Sequence, residues 1–189
     1  MQLSPRIVAP TASADFSVTL EEAKRFLGVD HSDDDDEIIA LSRTALEFLQ
    51  PPFGCLRVSI APQTLRLDLP CWPASGLELP AGPVQSITSV KYYSAEANAE
   101  TTLSSACYFL DNDALIWTES FSAPDHYARP SAVRITYVTG YAADALPAPL
   151  RTAVLQCLKT WYDNRDVVQS AGALMALGVD DLIAPYRVR

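Results

Sequence analysis

Five consecutive carboxylates, Asp33, Asp34, Asp35, Asp36 and Glu37, form the densest group of chemistry-bearing side chains in the sequence. Together with the residues before them they place oxygens at Asp30, Ser32, Asp34 and Asp36, the alternation with which a calcium loop ligates its ion. The sixth position of that loop is Asp35 where a turn-forming glycine is needed, and the twelfth is Leu41 where a bidentate Glu is needed. An EF-hand is therefore not expected, and the run offers only weak adventitious cation binding. His31 and His126 have no second His or Cys at ligand spacing, so no zinc site is expected and each reads as an ordinary surface residue. Cys55, Cys71, Cys107 and Cys157 lie far apart and fit four reduced, partly buried thiols better than a framework of bridges.

The sequence has no Gly-x-Ser-x-Gly elbow, phosphate-cradling loop or dinucleotide fingerprint, and glycine occurs only 7 times. Ser, His and Asp, or two carboxylates, could still converge from distant positions, because chain order does not fix spatial geometry. Tyr92, Tyr93, Trp117, Tyr137, Trp161 and Tyr162 sit in periodic apolar contexts, which favours core packing over a platform for stacked bases.

The elements that must position these residues are those of a chain of 189 residues, enough for one large domain or two small ones. Its formal charge of −9 opposes broad adhesion to DNA or RNA, since few phosphate counterions could be released. No apolar run approaches membrane-spanning length, and the opening MQLSPRIVAPTASADF lacks the apolar block of an export signal, so a soluble chain is expected. Residues 1 to 50 carry 10 acids and 4 bases, residues 51 to 145 carry 9 and 5, and residues 146 to 189 carry 4 and 5. An acidic front and a slightly basic end suit copies that meet head to side, or a tail that seeks an acidic partner; a merely solvated surface reads the same way.

Pro5 and Pro10 argue for an extended arm over residues 1–16. Thr19 and Glu22 form a capping-box pattern opening a short helix with Leu20, Ala23, Phe26 and Leu27 on one face, stopped by Gly28. A second helix start at Ser32 sets Asp33 to Glu37 at the positive end of the helix, after which Ile38, Ile39, Leu41, Ala45, Leu46 and Leu49 recur at helical spacing until Pro51 and Pro52. From Gly54 to about Gly140 the period changes to 2. Strands are expected around Leu65 to Leu69, Val84 to Tyr93, Tyr108 to Leu110, Leu115 to Trp117 and Val133 to Val138, with a hairpin turn at Asp111, Asn112 and Asp113. Leu150, Ala153, Val154, Cys157, Leu158 and Trp161 then give the best amphipathic match in the chain, behind Pro147 and Pro149. A last short helix over Ala171 to Ile183 is stopped by Pro185, leaving Tyr186 to Arg189 as a free tail.

The expected fold class is therefore α+β: a small helical bundle formed by residues 17–50 and 146–183, with residues 51–145 inserted as an antiparallel β-sheet, a meander or partial barrel, and residues 184–189 as a C-terminal tail.

The order of these elements, with the strings VTLEEAKRFLGVDHSDDDDEIIALSRTALEFL, LPAGPVQSITSVKYYSAE, AVRITYVTGY, PAPLRTAVLQCLKTWYDNRD and GVDDLIAPYRVR, resembles the head-tail connector (adaptor) proteins of tailed bacteriophages and prophages, including the equivalents in gene transfer agents. The resemblance covers nearly the whole chain and rests on the joint order of the strings, none of which is catalytic. Pro51, Pro52 and Phe53 depart from it, where the second helix would be expected to run on into the sheet. It implies a structural protein and not an enzyme, with no cofactor: a ring, expected to have twelve copies, beneath the portal at the capsid vertex. Such a ring carries the next tail-side connector or stopper protein and lets DNA pass through its channel without specific binding. The implied location is the head-tail junction of a virion or virus-like particle assembled in the bacterial host cytoplasm, with no membrane involved.

A channel for exiting DNA should repel phosphate rather than hold it, so Asp33, Asp34, Asp35, Asp36 and Glu37 are expected on the inner rim or at a subunit boundary. The resemblance implies that the segment Val179 to Arg189 reaches toward the portal, and Tyr186, Arg187 and Arg189 are of the residue types favoured as anchors. Two other classes stay open on the residues alone. A small hydrolase would hold His126 or His31 beside carboxylates between sheet and bundle, and a bacterial protein-binding module would keep the fold without a ring.

Overall fold

Thr19 opens the first helix as its capping box predicts: its Oγ1 accepts a hydrogen bond from the Glu22 N–H at 3.2 Å, and α1 (Leu20–Leu27) follows. Gly28 closes it with φ at 78°, in the left-handed region, its N–H bonded to the Lys24 carbonyl. In this computed structural model, which describes residues 6–9, 18–52, 54–96, 99–142, 144–164 and 179–187, the face of α1 turned to the core holds Ala23, with Leu20 and Leu27 beside it. Phe26 is 40% exposed instead of sharing that face. It stands about one and two-thirds turns from Leu20, which carries it off the stripe.

The second helix, α2 (Asp35–Leu49), begins later than Ser32. Asp34 occupies the N-cap without a side-chain capping bond, so three carboxylates and not five lie in the first turn. Ile38, Ala45, Leu46 and Leu49 are buried along its inner face, and Ser42 with them. Helix α3 (Ala148–Asp163) buries Leu150, Ala153, Val154, Cys157 and Leu158, the stripe expected from its period. A short α4 (Val179–Ile183) adds Val179 and Ile183 to the same core, and a 3-10 turn (Ala184–Tyr186) follows it. The expected beginning of that last helix at Ala171 lies outside the described residues.

The helical unit spans Thr11–Ala61 and Tyr141–Arg189. It reaches past the Pro51–Pro52 break because Leu56, Ile60 and Ala61 are buried in the helical core, and because the Gln50 side-chain oxygen accepts from the Ala61 N–H at 3.2 Å. The break in the apolar period at Pro51 is thus a turn within this unit.

The second unit, Met1–Pro10 with Pro62–Gly140, has its own core. Strands β1 (Arg6–Ala9), β2 (Gln63–Leu69), β3 (Leu77–Glu78), β4 (Val84–Tyr93), β5 (Glu100–Thr102), β6 (Tyr108–Asp111), β7 (Ala114–Trp117) and β8 (Val133–Thr139) form two antiparallel sheets. The five-stranded sheet runs β1-β2-β8-β4-β5 and the three-stranded one β3-β7-β6. This is not a plain meander, since β8, the last strand in the chain, pairs with both β2 and β4. Strict alternation along β2 and β8 buries Leu65, Leu67, Leu69, Val133, Ile135 and Tyr137 on one face. The hairpin at Asn112 and Asp113 joins β6 to β7, with Asn112 at φ 52°. Asp113 also accepts from the Val84 N–H at 2.7 Å, tying the tip of the small sheet to the start of β4.

Candidate functional site

The acidic run is divided by its neighbours into residues held inward and residues left to solvent. Asp34 Oδ2 accepts from the Tyr162 hydroxyl on α3 at 2.5 Å. Asp35 pairs with Lys24 of α1 at 2.7 Å. The start of α2 is thereby braced against α1 and α3, and Arg151 of α3 adds a pair with Glu22 of α1 at 3.1 Å. Asp33 and Asp36 are exposed, and Glu37 is half-buried. Among the described residues no group of three or more His, Cys, Asp or Glu side chains is placed to hold a metal ion.

Of the expected free tail, Tyr186 and Arg187 are docked. The Arg57 N–H donates to the Tyr186 carbonyl at 2.8 Å. Arg187 forms a β-bridge with Leu56 and reaches Asp180 of α4 with its guanidinium at 2.5 Å. Tyr186 packs its ring against the helical core. Pro185 ends α4 as expected, but the hook it creates returns onto the chain's own surface because backbone and charge partners await it there. Arg189 lies outside the described residues.

The titratable groups most displaced from ordinary values are structural. Burial pushes the Cys157 thiol up to about 12, with nearby Cys55 adding to it. Burial likewise raises Tyr137, whose hydroxyl donates to the Pro80 carbonyl at 3.0 Å. Cys71 is exposed. His31 stands exposed before α2, and His126 is half-buried, bridged to Ser94 in the β unit. Tyr92 and Trp117 pack with Trp72 and Phe121 against the β core, with Trp117 stacked on Phe121 at 4.2 Å. Both indoles of that cluster donate to carbonyls, Trp72 to Pro124 and Trp117 to Pro73, each at 2.9 Å.

Sequence reasoning missed a charged network on the solvent face of the larger sheet. Arg66 bonds Asp68, Asp68 lies 3.7 Å from Arg134, Arg134 bonds Glu100 at 2.8 Å, and Glu100 bonds Lys91 at 3.1 Å. The Lys91 bond, against some desolvation and with help from Arg134, holds the Glu100 carboxyl below its ordinary range. Arg129 and Arg134 both lie over the Tyr93 ring, at 3.9 and 4.9 Å. The available signal was alternation: Arg66 and Asp68 sit between leucines of a strand whose other face is core.

The chain shares its fold with chains from gene transfer agent (GTA) particles. The chain is similar over 100% of its length to a chain, covered to 97%, from the neck of an empty GTA particle computed with C6 symmetry, at TM-score 0.75 and 21% identity. A chain from the neck of a native GTA particle computed with C12 symmetry gives 0.70 at 23% identity, with 100% of this chain and 97% of that one covered. One from the virion of a native gene transfer agent (GTA) particle gives 0.68 at 23% identity, covering 98% and 96%. No protein-family model matches the sequence, and neither does any curated protein.

Proposed function

We propose that the protein is a structural head-tail connector subunit of a phage-like particle. It forms a ring in the neck, between the portal at the capsid vertex and the next tail-side connector or stopper, with DNA passing through the channel. The observation that carries this reading is the fold match along the whole chain to neck chains of symmetric particles. A ring subunit needs two unlike, complementary surfaces rather than a reactive centre. The acidic chain suits such a role, because a cationic lumen would hold the phosphates it must let pass.

In this reading Asp33 to Glu37 lie on the inner rim or at a subunit boundary. Tyr186, Arg187 and Arg189 form the contact with the portal, where aromatic and Arg side chains are favoured anchors. The docked hook presents Tyr186 and Arg187 in a defined position, so part of the ordering entropy of the contact is already met in the free chain. Removing the gene from a particle-producing strain should leave DNA-filled heads without attached tails. Normal tailed particles made without the protein would overturn the proposal.

A further inference from the structure

One face of the five-stranded sheet collects every basic residue of its unit. Met1–Pro10 and Pro62–Gly140 contain five Lys and Arg (Arg6, Arg66, Lys91, Arg129 and Arg134) against eight Asp and Glu. The registers set Arg6 opposite Arg66, Asp68 opposite Arg134, and Arg134 opposite Lys91. Directly opposed residues of an antiparallel pair share a face. Glu100 joins them through its bonds to Lys91 and Arg134, and Arg129 through the Tyr93 ring it shares with Arg134. Five cations therefore meet two carboxylates, a net of +3. The other six acids lie in loops, in the hairpin or on the three-stranded sheet, leaving the rest of the unit at −6.

The sign of this face is opposite to the net charge of −3 of its own unit and of −9 of the chain. The segregation carries a cost within the unit, since Arg6 and Arg66 are like charges placed directly opposite each other. The ion pairs among the described residues engage Arg66, Lys91 and Arg134 on this face, but not Arg6 or Arg129.

We propose that this basic face is the docking surface for the acidic start of α2, Asp33 to Glu37, of a second copy of the chain. The inference rests on the ring reading above and places those acids at the subunit boundary rather than on the lumen. A head-to-tail ring joins two different patches of one chain, and this chain carries a positive and a negative one. Asp33 and Asp36 are exposed at the end of a helix, whereas Asp34 and Asp35 are engaged within their own copy. Opposite potentials would also steer the encounter and fix its register. DNA is the other polyanion of sufficient charge, and the observations favour it less. Asp68 and Glu100 stand among the cations where phosphates would have to sit, and the whole chain repels a polyanion at range.

The test is a charge swap read as ring population, by sedimentation of the full chain with its portal. Arg6→Glu with Arg129→Glu, and separately Asp33→Lys with Asp36→Lys, should each raise the concentration needed for rings by about tenfold or more, and salt should weaken the wild-type ring. The variant carrying all four changes should recover, and so should an equimolar mixture of the two partial variants, because alternating copies then match Glu with Lys. Arg129→Gln, a milder change, should give a smaller shift in the same direction and guards against misfolding of the reversed variants. Rings indifferent to these changes, or no recovery in the fourfold variant, would overturn the inference and leave the ring reading standing. A wild-type chain that forms no ring on the portal would remove both. Duplex DNA bound by the wild type and lost in Arg6→Glu with Arg129→Glu, without rescue by the lysine changes, would assign the face to DNA instead.

Discussion

Arg187→Ala removes the guanidinium that meets Asp180 but leaves the Arg57–Tyr186 backbone bond in place. The two side chains are 29% and 38% exposed, so solvent screens the pair and its contribution is about 0.5 to 1 kcal/mol. That corresponds to an opening equilibrium of the hook shifted by about two- to fivefold. Ile183, by contrast, is 3% exposed and fills the helical core just before the hook. Ile183→Ala forfeits about 2 kcal/mol or more, at least about thirtyfold in the same equilibrium. Hydrogen exchange at the Arg57 amide reads the opening directly, because its acceptor is the Tyr186 carbonyl. The wild-type amide should be protected, the Arg187 variant about two- to fivefold faster, and the Ile183 variant far faster while circular dichroism stays unchanged. An Arg57 amide exchanging at the unprotected rate in the wild type would refute the docked hook. A shift above about tenfold in Arg187→Ala would refute the screening argument.

Tyr137→Phe removes a donor from a fully buried ring and leaves the Pro80 carbonyl unpaired, so it should lower stability by about 1 to 2 kcal/mol in urea at constant slope; an unchanged midpoint would contradict this. Glu100 has its folded pKa depressed, chiefly by Lys91, so its contribution is fully present above the ordinary value of 4.5 and is lost as pH falls through the lowered one. Glu100→Gln should therefore be less stable than the wild type at neutral pH and converge with it in strong acid, and a constant difference across that range would be inconsistent. With its thiol pushed up to about 12, Cys157 should resist iodoacetamide in the native chain at mildly alkaline pH while exposed Cys71 is labelled, as peptide mass spectrometry would show; equal labelling would place Cys157 outside the core.

Periodicity makes the long elements legible in the sequence. The stripe from Leu150 to Leu158 is buried on α3, and the alternation from Leu65 to Leu69 faces the β core, because in both cases one buried face fixes the pattern. The short elements carried too little signal. Glu78 and the residues Glu100 to Thr102 are polar strand positions whose pairing is decided by the neighbouring strand rather than by their own propensity. Pro5 and Pro10 predict extended backbone at Arg6 to Ala9, but the partner residue Leu65 lies far along the chain and no local pattern names it. Edges shifted for local reasons: Asp34, at the N-cap of α2, accepts from Tyr162 and makes no side-chain capping bond, and Phe26 lies off its stripe. The acidic cluster was visible as composition. Its division into braced and exposed acids depended on Lys24 and Tyr162, and the basic face depended on strand register, neither of which a linear pattern encodes.

Electron microscopy of the purified chain mixed with the portal of its own particle tests the central claim most directly. Closed rings of one fixed copy number seated on the portal, with an open central channel, are the predicted result. A chain that stays dispersed beside the portal at every ratio, or that binds it as isolated single copies, would contradict a connector role.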